Sequence, residues 1–255
     1  MLPNATTDAK SSAAKSLPRD RPPASRALRF LARLPLPVMY GLASVLAFLG
    51  YNLIRYRRHV VQENLAASFP NLSARERRNI AKSFYRNIAD VALETVKAHT
   101  IDQDTLATRV RLTNPEILDR FVAANQSIVL IGTHEANWEW VFLSCTSQLP
   151  FAIDAIYKPL HNATIDAFMA QTRTRFGARL IIPGESILAL ARGPKRLRAI
   201  AMLVDQRPLP TDECRWIRFL NQDTPFFVGF EKMADCGAIR WFWRRVVEPR
   251  GVTTR

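Results

Sequence analysis

"IVLIGTHEANWEW", residues 128–140, decides how this chain is read. An apolar run of β-branched character stops at Gly132, and a histidine, two glutamates, an asparagine and two tryptophans follow at once. A short apolar run that ends in a turn residue reads as a buried strand. The polar cluster then marks a turn that opens into a helix.

The same pattern repeats downstream. "FAIDAIY" (151–157), "ARLIIP" (178–183) and "AIAMLVD" (199–205) read as further buried strands. Helical segments fall between them, near 137–147, 162–176 and 185–193, with Asn162 as an N-cap and Gly177 as a stop. This alternation predicts an α/β fold with a largely parallel central sheet flanked by helices. No internal repeat is present.

Upstream, residues 1–26 are rich in Ala, Ser, Pro, Lys and Arg without apolar periodicity, which predicts a disordered basic tail. Leu34 to Ile54, "LPLPVMYGLASVLAFLGYNLI", then carries no charge and lies between Arg26, Arg29, Arg33 and Arg55, Arg57, Arg58. As a helix it would be about 30 Å long, enough to cross a hydrocarbon core. A membrane-anchor helix over 27–55 is therefore expected, in preference to a core helix or a cleaved signal peptide. Cations on both flanks leave its orientation open, and Pro35 and Pro37 suit a tilted or partly embedded anchor.

In "NLSARERRNIAKSFYRNIADVALETVKAH" (71–99), Ser73 and Glu76 have capping-box spacing. Ile80, Phe84, Ile88, Val91, Ala92 and Val96 recur at helical intervals, predicting an amphipathic helix that packs this face inward and turns a basic face outward.

The chain of 255 residues has 36 Lys and Arg against 22 Asp and Glu, a formal balance of +14. Anionic surfaces are its natural neighbours. Zinc spacings, RNP-type aromatics and KH loops are absent from the sequence and the cations are dispersed, so no nucleic-acid partner is expected, although a basic binding module without catalysis is the rival from another class. Cys145, Cys214 and Cys236 are too few and too scattered for a disulfide framework. "HEANWE" lacks the second histidine of a zinc-hydrolase motif, so no metal and no cofactor is expected.

In open α/β sheets ligands gather at the carboxyl ends of strands, where His134 falls. Were His134 and Glu139 both inside one helix they would point about 140° apart. The histidine therefore belongs to the turn, and Glu139 to the first helical turn. Glu135 and Glu139 share a face, so spacing alone leaves both as partners for the imidazole. A neutral imidazole steadied by a carboxylate can take a proton from an alcohol as it attacks a carbonyl. Ser144 and Cys145 lack a nucleophile-elbow context.

"THEANWEW" resembles the HxxxxD/E motif of the lysophospholipid acyltransferase superfamily, in the HxxNWE form of the lipid A late acyltransferases, the lauroyl and myristoyl transferases of Gram-negative bacteria. Further blocks agree in order: "RRHVVQENLAASFPNLSARER" (57–77), "YKPLHNATIDAFMAQTRTRFGARLI" (157–181), "AMLVDQRP" (201–208) and "FLNQDTPFFVGFEKMA" (219–234). The resemblance covers about residues 30 to 235.

It implies an enzyme of the bacterial inner membrane, with its site at the cytoplasmic face, that moves a fatty acyl chain from acyl carrier protein, or coenzyme A, to a hydroxyl of a lipid A precursor. His134 would be the general base and Glu139, rather than Glu135, its orienting partner. Asn137, Tyr157, Lys158, Asn162, Asp166, Arg173, Asp205 and Gln206 would line the acceptor and thioester pocket. Arg175, Arg179, Arg192, Lys195, Arg196 and Arg198 read either as a solvated helix face or as a dock for an acidic carrier or membrane. The paired Phe226 and Phe227 precede an expected helix.

After Ala234 the resemblance ends, and "DCGAIRWFWRRVVEPRGVTTR" (235–255) reads as a frameshifted or truncated terminus. The expected organisation is thus a tail (1–26), an anchor (27–55), an incomplete acyltransferase domain (56–235) and an atypical end (236–255). Transfer to a glycerolipid or aminolipid, or an inactive remnant, are the alternatives.

Overall fold

The computed structural model describes residues 25–182, 196–210, 212–229, 231, 240–242 and 247–249. The helix expected near 185–193 and almost all of the basic tail lie outside these residues.

The "IVLIG" run forms β2 (Ile128–Gly132). The other strands of the main sheet are β3 (Ala152–Ile156), β4 (Arg179–Ile181), β5 (Arg198–Leu203) and β8 (Arg240–Phe242). Their order is β4-β3-β5-β2-β8, and every pairing is parallel. Parallel strands are covered on both faces, which is why these runs are apolar without alternation. Ile128 and Leu130 join Ile153, Ala155 and Ala199 on one side, whereas Val129 and Ile131 join Ile200 and Met202 on the other.

Helix α7 (Trp138–Gln148) follows β2, and α8 (Ala163–Thr174) follows β3. Asn162 caps α8, accepting from Thr164 N and Ile165 N at 3.0 and 3.1 Å. Gly177 stands at φ 92, the left-handed conformation that ends a helix. Two elements were not anticipated. β1 (Val110–Leu112) pairs antiparallel with β9 (Val247–Pro249). β6 (Cys214–Phe219) and β7 (Gln222–Phe227) form a hairpin, so Phe226 and Phe227 lie in a strand. Leu220 and Asn221 at its tip both have positive φ, the two-residue turn whose twist suits paired strands. Because β8 pairs with β2, the latter is not an edge.

Before the sheet come α1 (Arg26–Arg33), α2 (Leu36–Phe48) with a wider helical turn at Leu49–Leu53, α3 (Arg58–Ser68), α4 (Ala74–Lys97), α5 (Gln103–Arg109) and the short α6 (Asp119–Ala123). The α4 capping box is present: Ser73 N donates to Glu76 Oε2 at 2.7 Å while Ser73 Oγ accepts from Glu76 N.

The buried face of α4 matches the expected one only in part: Val91 is buried and Val96 packs against the core, but the main contact is made by other residues. Ala81, Tyr85, Ala89 and Leu93 pack against Met39, Ala43, Ala47 and Tyr51 of the charge-free stretch. Phe84 and Ile88 remain 42% and 50% exposed. Small residues allow two helix backbones to approach closely, so α2 took the alanine face. Hydropathy had pointed to the neighbouring stripe.

Candidate active site

β2 and β5 end side by side, Gly132 in register with Leu203. A Cβ on Gly132 would lie 2.9 Å from Leu203 Cδ2, so the glycine lets the two strand ends close up. The chains that leave these ends carry His134 and Asp205. Asp205 receives His134 twice: its Oδ2 accepts from the backbone N–H, and its Oδ1 lies against ring Nδ1, both at 2.7 Å. An imidazole held by a carboxylate at Nδ1 carries its hydrogen there, leaving Nε2 with the lone pair. That nitrogen faces Gln206 Nε2 at 3.2 Å. Trp138 abuts the ring edge-on, with centroids 5.0 Å apart.

The turn between strand and helix is bent by Ala136, which adopts the left-handed φ of 51. For a residue with a Cβ this costs on the order of 1 kcal/mol. It aims His134 across to β5 and sends Glu139 the other way. Glu139, 3% exposed, does not bond to His134 among the described residues. Its carboxylate takes Arg173 as a fork, Nε on Oε2 at 2.9 Å and Nη2 on Oε1, and also accepts from Trp138 Nε1. Burial alone would lower the pKa of Arg173, but the Glu139 carboxylate outweighs it and holds the guanidinium charged. The expected His134–Glu139 contact is thus replaced by two separate pairs, His134–Asp205 and Glu139–Arg173. The cause is the bend at Ala136.

Arg173 also lies over the Tyr157 ring, 5.0 Å from its centroid. The Tyr157 hydroxyl donates to Asp166, whose Oδ1 also accepts from Leu160 N at 2.9 Å. Glu139, Arg173, Tyr157 and Asp166 therefore make one polar seam between α7 and α8. Lys158 is exposed beside it, and Asn162 serves as the α8 cap. Asn137 is buried and occupied: Oδ1 accepts from Trp140 N to cap α7, and Nδ2 donates to Glu94 Oε2 at 2.8 Å.

Glu94 escaped the reading of the sequence. It is 2% exposed, accepts from Tyr40 and Asn137, and its backbone oxygen accepts from Trp140 Nε1. Burial raises its pKa, opposed by those two side-chain donors. The available signal was a carboxylate beside Leu93, at the end of the apolar period. Cys145 is fully buried with its thiol pushed up to about 12, an inert core residue.

The basic cluster also separates. Arg179, Arg196 and Arg198 converge on the buried Asp154, and Arg175 donates to the backbone oxygens of Ala98 and Ile101. These four belong to the fold's own ion pairs and caps rather than to a solvated helix face. Arg192 and Lys195 lie outside the described residues.

A half-exposed imidazole with a fixed tautomer, at the carboxyl pole of a parallel sheet, can accept a proton from an alcohol. Comparison with known proteins agrees on the class of chemistry. The family model for the bacterial lipid A biosynthesis acyltransferases matches residues 25–235. The lipid A biosynthesis lauroyltransferase of Escherichia coli (strain K12) is 26% identical over 148 residues, 58% of this chain and 48% of that protein. The chain thus aligns with about half the length of that relative. With a family match that spans most of its length, the chain belongs to the bacterial lipid A biosynthesis acyltransferases.

Proposed function

We propose that this protein transfers a fatty acyl chain from a carrier thioester, acyl carrier protein or coenzyme A, to a hydroxyl of a lipid A precursor at the cytoplasmic face of the inner membrane. The observation that carries the reading is the His134–Asp205 pair at the open ends of β2 and β5 in a chain of this family. With Nδ1 held by Asp205, Nε2 is the base. The acceptor hydroxyl displaces the Gln206 amide from Nε2 and gives up its proton there, while its oxygen attacks the thioester carbonyl. The tetrahedral adduct then collapses, and the departing thiolate takes the proton back from the imidazolium.

Asp205 fixes the tautomer and stabilises the imidazolium. Glu139 works one step removed: it holds Arg173, and Arg173 steadies Tyr157 and the seam that borders the acceptor side. Lys158, exposed next to Tyr157, is placed to meet an anionic group of a substrate. Asn137 and Asn162 support these elements as helix caps, and Asp166 holds the chain at Leu160.

The test is transfer of labelled acyl chain from loaded acyl carrier protein to a lipid A precursor in membranes that contain the protein. His134→Ala, shown to be folded by circular dichroism, is expected to lose about 10²- to 10⁴-fold in rate. Equal transfer by wild type and variant would remove the base assignment. An unchanged lipid A profile in a deletion strain, with a glycerolipid or aminolipid missing instead, would move the acceptor to that class.

A further inference from the structure

Asn137 closes the turn that carries His134, and its side chain is used at both ends. Oδ1 accepts from Trp140 N at 3.0 Å, which caps α7, and Nδ2 donates to Glu94 Oε2 on α4 at 2.8 Å. Both residues are buried. Only a side chain of this length that accepts at one atom and donates at the other can make both bonds. Aspartate caps a helix equally well but would set a second carboxylate against Glu94, and serine or threonine offers a single shorter hydroxyl. The asparagine therefore answers Glu94 as much as it answers the helix.

The other end of the turn is equally fixed. Gly132 ends β2 in register with Leu203, and its backbone oxygen accepts from Val204 N at 3.2 Å. Residues 133–136 span the two fixed points, and among them Ala136 is held at φ 51. If either end loosens, Ala136 can relax to negative φ, which carries His134 away from the Asp205 carboxylate at its Nδ1.

Helix α7 has other fastenings. Trp140 Nε1 donates to the backbone oxygen of Glu94 at 2.9 Å, Leu143 is buried in the core, and Arg173 forks Glu139. Changing the Glu94 side chain leaves all three in place. Toward α7 its carboxylate makes one bond among the described residues, to the Asn137 amide.

We propose that Glu94 is a positioning residue for acyl transfer: through Asn137 Nδ2 it fixes the end of the turn that presents the His134 imidazole to Asp205. The proposal rests on His134 as the base, the reading given above. Glu94 is too buried to meet a substrate itself.

The experiment breaks the pair and rebuilds it with donor and acceptor exchanged. Asn137→Asp sets carboxylate against carboxylate. Asn137→Asp combined with Glu94→Gln restores the contact, the introduced glutamine donating its amide to the introduced aspartate and keeping its carbonyl for the Tyr40 hydroxyl. The full chain is assayed with loaded acyl carrier protein and a lipid A precursor, and urea midpoints are read in parallel. For Asn137→Asp, kcat is expected to fall about 10- to 100-fold with both KM values within about threefold, and the double variant to return to within about threefold of wild type.

A second readout needs no substrate. The chain has four histidines, and with ¹⁵N-labelled histidine the His134 ring is assigned by its absence in His134→Ala. It should show the Nδ1–H tautomer in wild type and in the double variant, and an average of both tautomers in Asn137→Asp. Wild-type kcat and tautomer in Asn137→Asp would overturn the proposal. So would a double variant whose stability returns while kcat and tautomer do not, since the pair would then serve the fold alone. Should Asn137→Asp not fold, Glu94→Ala is read in the same way, with Glu94→Gln, which keeps an acceptor for Asn137 Nδ2, as its rescue. If wild type transfers no acyl chain, the acyl-transfer reading fails and the tautomers alone decide the proposal.

Discussion

Asp154 lies within β3 and Asp205 just past the end of β5, and the two meet opposite fates. Asp154 has a side chain 0% exposed and is gripped by Arg179, Arg196 and Arg198. Asp205 is 31% exposed and holds one imidazole. The first carboxylate is sealed among three guanidinium groups and ties strands β3, β4 and β5 together. The second meets a partly exposed imidazole beside an open strand end. Burial and the identity of the partner, not the aspartate itself, separate the sealed carboxylate from the one at the open strand ends.

The comparison breaks most visibly at the sealed aspartate. Asp154→Ala leaves Arg198, 2% exposed, without its carboxylate. A loss of about 3–5 kcal/mol is expected in urea denaturation, with activity falling only as far as folding does. If stability held and transfer failed, the two aspartates would have been assigned the wrong way round.

Asp205→Asn keeps the shape but favours the wrong tautomer. Transfer should fall about tenfold to a hundredfold, with the midpoint of denaturation nearly unchanged. Glu139→Gln should show the reverse balance, a loss of about 1–3 kcal/mol from uncoupling Arg173 and a smaller change in the pH profile of the rate. A pH profile that moves with Glu139→Gln and not with Asp205→Asn would return the orienting role to Glu139.

Ala136→Gly relieves the left-handed strain in the turn between the pairs. It should stabilise the protein by about 0.5–1 kcal/mol, and a loss there would mean that the bend is held by something other than backbone geometry.

The smallest effect concerns Glu94. Its raised pKa means that its contribution to stability is full below the ordinary carboxylate range and is lost as pH rises through the folded-state value. Glu94→Gln should therefore gain on wild type as pH rises from acid toward neutral in thermal denaturation. A pH-independent difference would mean that burial does not dominate at this residue.

The main sheet was readable because its strands are buried on both faces, and such runs as "IVLIG" and "AIAML" stand out in any surroundings. The candidate histidine, His134, was readable from where the first run ends. Its carboxylate partner was not, since Asp205 lies 71 residues away and only the register of β2 on β5 brings it close. The hairpin at Cys214–Phe227 was missed because all of β6 is exposed and so gives no burial signal; Asn221 at its tip was the local clue. On α4 the period was right and the face was right in part: Val91 and Val96 pack inward, whereas Phe84 and Ile88 do not. Phe84 and Ile88 look like core because hydropathy cannot tell which of two neighbouring stripes the next helix will cover.

Tyr40, Glu94 and Asn137 form an unbroken line of hydrogen bonds from α2 to the cap of α7, next to the turn that bears His134. A change at Tyr40 on α2 is therefore two hydrogen bonds away from the helix that follows the His134 turn, so the N-terminal helices are coupled to the placement of that turn although no hydrogen bond among the described residues joins them to His134 or Asp205.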